Sequence, residues 1–284
     1  AAGIPCITSL TGLRRTKRLK IFIDKFGQQA STFALMGGFW ALAALVAAMV
    51  LLRFAFAAKA VYFLGFPLPF LAIAVPLLAG GVLFLAYRGL WQRLKAQKLL
   101  HAVVGLSATL LLWIAFYAGL AAFRPLALGL APASDAAFLS PPGVSLFWRL
   151  LAEGLALSLA LAGTFTGAWL VWRRNKDDFG RDYYNLTLRL AARVGFAGHA
   201  LALAAMAWIG LGLMPLVGEL SGRVSMAVTL YGTGLLLTLI CLGFVLPREN
   251  TLRHKALLVV AFAATLLALT GLCAGLATIF TPGL

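Results

Sequence analysis

Carboxylates are scarce in this chain. Asp and Glu together number 8 in 284 residues, against 24 Lys and Arg. Histidine and cysteine are scarcer still, at 3 each. No two carboxylates have the spacing of a paired-acid hydrolytic site, and no Walker, Rossmann or His-Glu-x-x-His signature occurs. Cys6, Cys241 and Cys273 fit no metal or haem-attachment spacing. Cys241 and Cys273 fall in apolar runs and read as reduced core residues. Charged residues of all kinds make up only 11% of the chain. A long polar stretch is also missing, so no segment suits a separate soluble domain. Any soluble chemistry would come from another chain.

What is present is apolar. Hydrophobic residues are 62% of the sequence, and the mean hydropathy is +0.97. A soluble core of this size cannot hide that much apolar surface, whereas a bilayer can serve as the solvent. The apolar runs are continuous rather than alternating, which excludes a transmembrane barrel. Helices then remain as the way to satisfy the backbone in lipid. The expected fold is an all-α integral membrane protein, a bundle of seven transmembrane helices. The spans fall at about 31–55, 67–88, 99–122, 144–172, 186–211, 224–246 and 256–280.

The net charge of +16 is placed by topology rather than for nucleic acid. Arg14, Arg15, Lys17, Arg18, Lys20 and Lys25 precede the first span. Arg88, Arg93, Lys95 and Lys98 follow the second, Arg173, Arg174, Lys176 and Arg181 the fourth, and Arg248, Arg253 and Lys255 the sixth. The opposite loops carry only Arg53, Lys59, Arg124 and Arg223. Basic residues mark the cytoplasmic side, so the N-terminus is expected in the cytoplasm and the C-terminus outside.

Leu19, Phe22, Ile23 and Phe26 repeat at helical spacing among charges, and no cleavable h-region follows them. Residues 10–28 are expected to form an amphipathic helix on the membrane surface. The organisation is thus a basic segment, 1–30, and a single transmembrane domain, 31–284. The apolar, proline-bearing loop Ala121–Gly143 is expected to lie on the membrane surface or under a partner. Pro67, Pro69 and Pro76 suggest a kinked entry to the second span. Trp40, Trp91, Trp148, Trp169, Trp172 and Trp208 suit the aromatic belt at the interfaces.

Ionisable groups in hydrocarbon are expensive and therefore informative. His199 stands about 17 Å along its span from Leu188, near the midplane. Gly195 and Gly198 flank it, leaving room for a flat macrocycle, and histidine is a common axial haem ligand. Two other roles suit it equally: a packing hydrogen bond beside the small-residue pair Gly198 and Ala202, or a proton or substrate contact. His101 and His254 lie too shallow to complete a bis-histidine haem. Arg189 and Arg193 share one face and could meet lipid phosphates, an anionic head group or a haem propionate. Arg149 and Glu153, four apart, suit an internal ion pair. Glu153 could also accept a proton from a quinol. Asp182 is placed to cap the fifth span. Asn185-Leu-Thr187 matches a glycosylation sequon, but on the cytoplasmic side.

From about Leu100 to Gly212 the chain resembles subunit I of the cytochrome bd quinol oxidases. The similarity is carried by LHAVVGLSATLLLWIAFYAGLAAFRP and by SPPGVSLFWRLLAEGLALSLALAGTFTGAWLVWRRNKDDFG. Within it, Pro141-Pro142, Gly163, Ala168-Trp169 and Arg173-Arg174 stand where that family has a proline turn, a span and a basic loop. The family's haem-ligating histidine falls at about Leu150, Ala34–Leu45 lacks the first-span histidine, and the quinol-loop motif is absent. The resemblance therefore implies the helical scaffold without the oxygen-reducing chemistry. It implies a membrane subunit of a respiratory electron-transfer complex in the bacterial inner membrane, surrounded by lipid and anchoring redox partner subunits. The candidate cofactors are a single haem b, held by His199 with Arg189 and Arg193 near its propionates, or a quinone near Glu153 and Arg149. A transporter or permease subunit and a cofactor-free structural subunit are the competing readings.

Overall fold

The computed structural model describes residues 2–13, 19–55, 67–94, 96–127, 140–143, 145–177, 179–213 and 222–280. Among these, every regular element is helical. The elements are α1 (Gly3–Leu13), α2 (Lys20–Ala55), α3 (Pro67–Gly89), α4 (Trp91–Leu94), α5 (Lys98–Ala127), α6 (Leu146–Arg173), α7 (Arg181–Leu213), α8 (Gly222–Val245) and α9 (Lys255–Phe280). A 3₁₀ turn, Thr251–His254, leads into α9.

Six stretches are long and apolar enough to cross a membrane: Leu71–Gly89, Lys98–Ala122, Leu146–Arg173, Arg181–Gly212, Gly222–Val245 and Thr251–Gly275. They coincide with the second to seventh expected spans and make this an all-helical, multi-pass membrane chain. Many of the large side chains point outward, as lipid permits. Leu78, Val82 and Leu85 on α3 and Ile240 and Phe244 on α8 are exposed, while Ala and Gly fill the contacts between helices. Lipid tails are as apolar as leucine, so helices gain by close backbone approach rather than by hiding large residues.

The chain divides into two compact units, Ala1–Phe147 and Trp148–Leu284. In the first, α1 packs on α2 and α5, and α3 pairs with α5. The surface helix expected over 10–28 is not a separate element. Helix α1 ends at Leu13, residues 14–18 lie outside the described residues, and α2 runs unbroken through position 28 to Ala55. No proline interrupts that run, and Phe26 is buried. Tyr87 is the centre of this unit. Its hydroxyl lies 3.0 Å from Thr8 Oγ1 on α1, and its ring centroid is 4.7 Å from that of His101 on α5. Trp91 stacks edge-on to the same imidazole, centroids 4.7 Å apart. Trp91 is therefore an interior residue, not part of an interfacial belt. The belt reading failed here because α4 turns the indole inward, onto Gly27 of α2.

In the second unit α6 and α7 form one antiparallel pair and α8 and α9 another. A Cβ on Gly163 would lie 2.7 Å from the Ala191 carbonyl oxygen, and one on Gly198 would lie 2.5 Å from Ala160 Cα. Across the other pair, a Cβ on Gly234 would lie 2.7 Å from the Ala264 carbonyl oxygen, and one on Gly271 would lie 2.8 Å from that of Ala227. These glycines let the backbones touch. Ala156, Leu157, Ala202, Tyr231, Leu235 and Ala268 then close one core among all four helices. Most of the loop Ala121–Gly143 lies outside the described residues, although α5 continues into it as far as Ala127.

Candidate functional site

The close approach of α6 and α7 decides the surroundings of His199. The imidazole is fully buried. The space that Gly195 and Gly198 leave beside it is filled by the α6 backbone at Gly163, Thr164 and Ala160. The room that suggested a macrocycle is thus a helix crossing.

Both ring nitrogens are engaged. Nδ1 lies 2.7 Å from the Gly195 carbonyl oxygen. A carbonyl can only accept, so Nδ1 carries the hydrogen and donates it. Nε2 lies 3.2 Å from Thr265 Oγ1 on α9. Thr265 Oγ1 is in turn 3.3 Å from Thr238 Oγ1 on α8. Each hydroxyl also reaches the carbonyl four residues back in its own helix, at 2.8 Å in both cases. A hydroxyl has one hydrogen, so the direction of the chain follows from the imidazole. With Nε2 bare, Thr265 donates to it and Thr238 donates to Thr265. With Nε2 protonated, the ring donates to Thr265, whose hydrogen returns to the Ala261 carbonyl. An iron ligand would need the Nε2 lone pair and an open axis; here that axis ends on Thr265. The geometry favours the hydrogen-bonding role over haem ligation.

Glu153 is also a buried ionisable group, 3% exposed, and neither carboxylate oxygen has a hydrogen-bond partner among the described residues. The expected ion pair with Arg149 is not formed. Arg149 turns away, its guanidinium 5.6 Å from the Trp208 ring centroid, and packs against Gly212 of α7. Gly212 has no side chain to block that course, and the indole face offers a cation–π contact. Tyr231 on α8 has the same peculiarity as Glu153: its hydroxyl is buried and has no partner among the described residues. The contacts set both at one level. Gly198 meets Ala160 and Gly163 meets Gly195, which brings the Glu153 turn of α6 opposite Ala205 and Met206. A Cβ on Gly232, next to Tyr231, would lie 3.0 Å from Met206 Cε. His199 lies about 9 Å deeper along α7.

Arg189 has a local task. Its NH2 donates to the Arg248 carbonyl at 2.9 Å, in the turn between α8 and the 3₁₀ turn that leads into α9. Its Nε is buried without a partner. Arg193, one turn further, is exposed on the outer face of α7. Asn185 works beside them: its Oδ1 accepts from Leu252 N at 2.9 Å, fixing the turn between α8 and α9. Asp182 sits in the first turn of α7 rather than capping it, and the preceding Gly180 takes a positive φ of 83°. Arg173 pairs with Asp177 in the α6–α7 turn. Cys241 is buried as expected, but Cys273 faces outward.

Thr238, Thr265 and Tyr231 carry no signal in the sequence. A threonine in an apolar helix reads as one more hydroxyl bonded to its own turn, and only the packing of α8 and α9 turns two of them toward His199. Among the described residues no cluster of His, Cys, Asp and Glu could hold a metal. No known protein family, curated protein or solved structure matches the chain.

Proposed function

We propose that this chain is a multi-pass membrane subunit that handles protons, with Glu153 as the group that gains and loses them. One observation carries the reading: a carboxyl group inside a membrane helix, buried, with both oxygens unpartnered among the described residues. An ionised carboxylate without a counter-charge or donor costs several kcal/mol in such a setting, and structural carboxylates avoid this by pairing. Glu153 does not pair, although Arg149 is one turn away. It must therefore exchange its charge with a proton or with a polar visitor. Tyr231, also unpartnered at that level, supplies a neighbouring hydroxyl.

The setting we propose is an electron-transfer complex of the bacterial inner membrane, in which this subunit anchors redox partners. That setting is supported by the resemblance of residues 100–212 alone. His199 enters it as a hydrogen-bonded imidazole rather than a haem ligand. Residues 31–55 at the end of α2 would be a seventh span, with the N-terminus in the cytoplasm, as the basic loops require. Alkaline phosphatase fused between α5 and α6 should then be active, and fused between α6 and α7 inactive.

Infrared difference spectra of the reconstituted chain across a pH jump test the proton role. A protonated-carboxyl band that titrates in the wild type should vanish in Glu153→Gln and shift in Glu153→Asp. If Glu153→Gln leaves the difference spectrum unchanged, the residue does not titrate, and the chain is better described as a cofactor-free structural subunit.

A further inference from the structure

The outer face of α7 changes character at one residue. Below it, Ala197, Leu201, Ala204, Trp208 and Leu211 form a continuous exposed apolar stripe, with Leu201 55% and Leu211 66% exposed. From Arg193 to Leu211 the helix rises about 27 Å at 1.5 Å per residue, close to the ~30 Å thickness of the hydrocarbon. Arg193 therefore stands where the hydrocarbon ends, at the depth of lipid phosphates. Among the described residues no carboxylate pairs with it or with Arg189. Arg189, one turn further out, spends NH2 on the Arg248 carbonyl and leaves a buried Nε without an acceptor.

We propose that Arg189 and Arg193 bind the phosphate of one anionic phospholipid, in the leaflet on the basic side of the chain. Arg193 offers its planar fork to the phosphate oxygens, and Arg189 adds a second positive charge one turn away. The acyl chains lie along the furrow that the small residues Ala197 and Ala204 leave beside Leu201. This furrow selects a lipid over free phosphate. A net negative head group is favoured because no acidic side chain shares the site.

The test uses the full chain in detergent, with phosphatidylglycerol and phosphatidylcholine as probes, read by native mass spectrometry and by thermal unfolding. The wild type should retain phosphatidylglycerol at least fivefold more tightly than phosphatidylcholine and gain thermal stability from it. Arg193→Gln should abolish that preference, and Arg193→Lys should restore only part of it. Ala197→Leu fills the furrow without touching either arginine. It should weaken phosphatidylglycerol binding while leaving the melting temperature in phosphatidylcholine unchanged, so it separates lipid binding from folding. Equal retention of the two lipids by the wild type would overturn the proposal. So would wild-type behaviour of either Arg193→Gln or Ala197→Leu, or displacement of phosphatidylglycerol by millimolar inorganic phosphate.

Discussion

Gly163 and Gly167 lie one turn apart on the same face of α6, yet alanine should have opposite effects at the two positions. At Gly167 the added methyl would sit 3.8 Å from Ala191 Cβ, an ordinary contact. Alanine there removes the entropy that a helical glycine loses on folding, worth roughly 0.5–1 kcal/mol. Gly167→Ala should therefore be neutral or stabilising. At Gly163 the methyl would sit 2.7 Å from the Ala191 carbonyl oxygen and closer still to the Gly195 backbone. Backbone cannot rotate aside, so α6 and α7 must separate by up to about an ångström along the crossing. Overpacking of this kind costs about 1–3 kcal/mol, against the same helix gain. The net expectation for Gly163→Ala is a loss of about 1–2 kcal/mol. With Cys6 and Cys273 replaced by serine, thermal unfolding in detergent followed by a thiol-reactive dye reads this, because the remaining Cys241 is buried and becomes reactive on unfolding. Stability of Gly163→Ala at or above wild type, or equal shifts for the two variants, would refute the α6–α7 register. The surroundings assigned to His199 and Glu153 would fall with it.

Thr265→Val should cost about 1–3 kcal/mol, because it strips His199 Nε2 of its buried partner; the double variant with His199→Phe should lose less than the sum of the two single losses, as a double-mutant cycle would show. His199→Ala should lower the melting temperature while leaving any haem-type absorbance of the purified complex unaltered; loss of a b-type signal would restore haem ligation. Asn185→Ala removes the acceptor for Leu252 N and should cost about 1 kcal/mol, with faster proteolysis at the turn around residues 248–252. Burial pushes the Cys6 thiol above its ordinary range, which lowers its thiolate fraction at neutral pH. Its labelling by a maleimide should be slower than that of a free thiol at pH 7.5 and should rise as the pH is raised further; a rate equal to that of free cysteine would show that α1 does not pack against its neighbours there.

Composition by itself settled that this chain is helical and apolar enough to live in lipid, because no other backbone arrangement satisfies its polar groups over such long apolar runs. The sequence also placed seven apolar spans, and six of them correspond to stretches able to cross a membrane among the described residues. Charge spacing told which loops are basic, since a charge is placed by the chain alone. It could also single out Glu153, His199, Arg189 and Arg193 as costly residues. It could not say what each one touches. The i, i+4 rule joined Arg149 to Glu153, but the bare surface at Gly212 and the Trp208 face drew the arginine away. The glycines around His199 read as space, and the tertiary structure filled that space with another helix. Arg189 read as an anion contact and proved to hold the turn after α8 as well. In a bilayer many of the large apolar side chains face lipid, so they carry little information about neighbours. Which helices meet, and so which polar groups find partners and which stay unpaired, is decided by where glycine and alanine on two separate helices come into register.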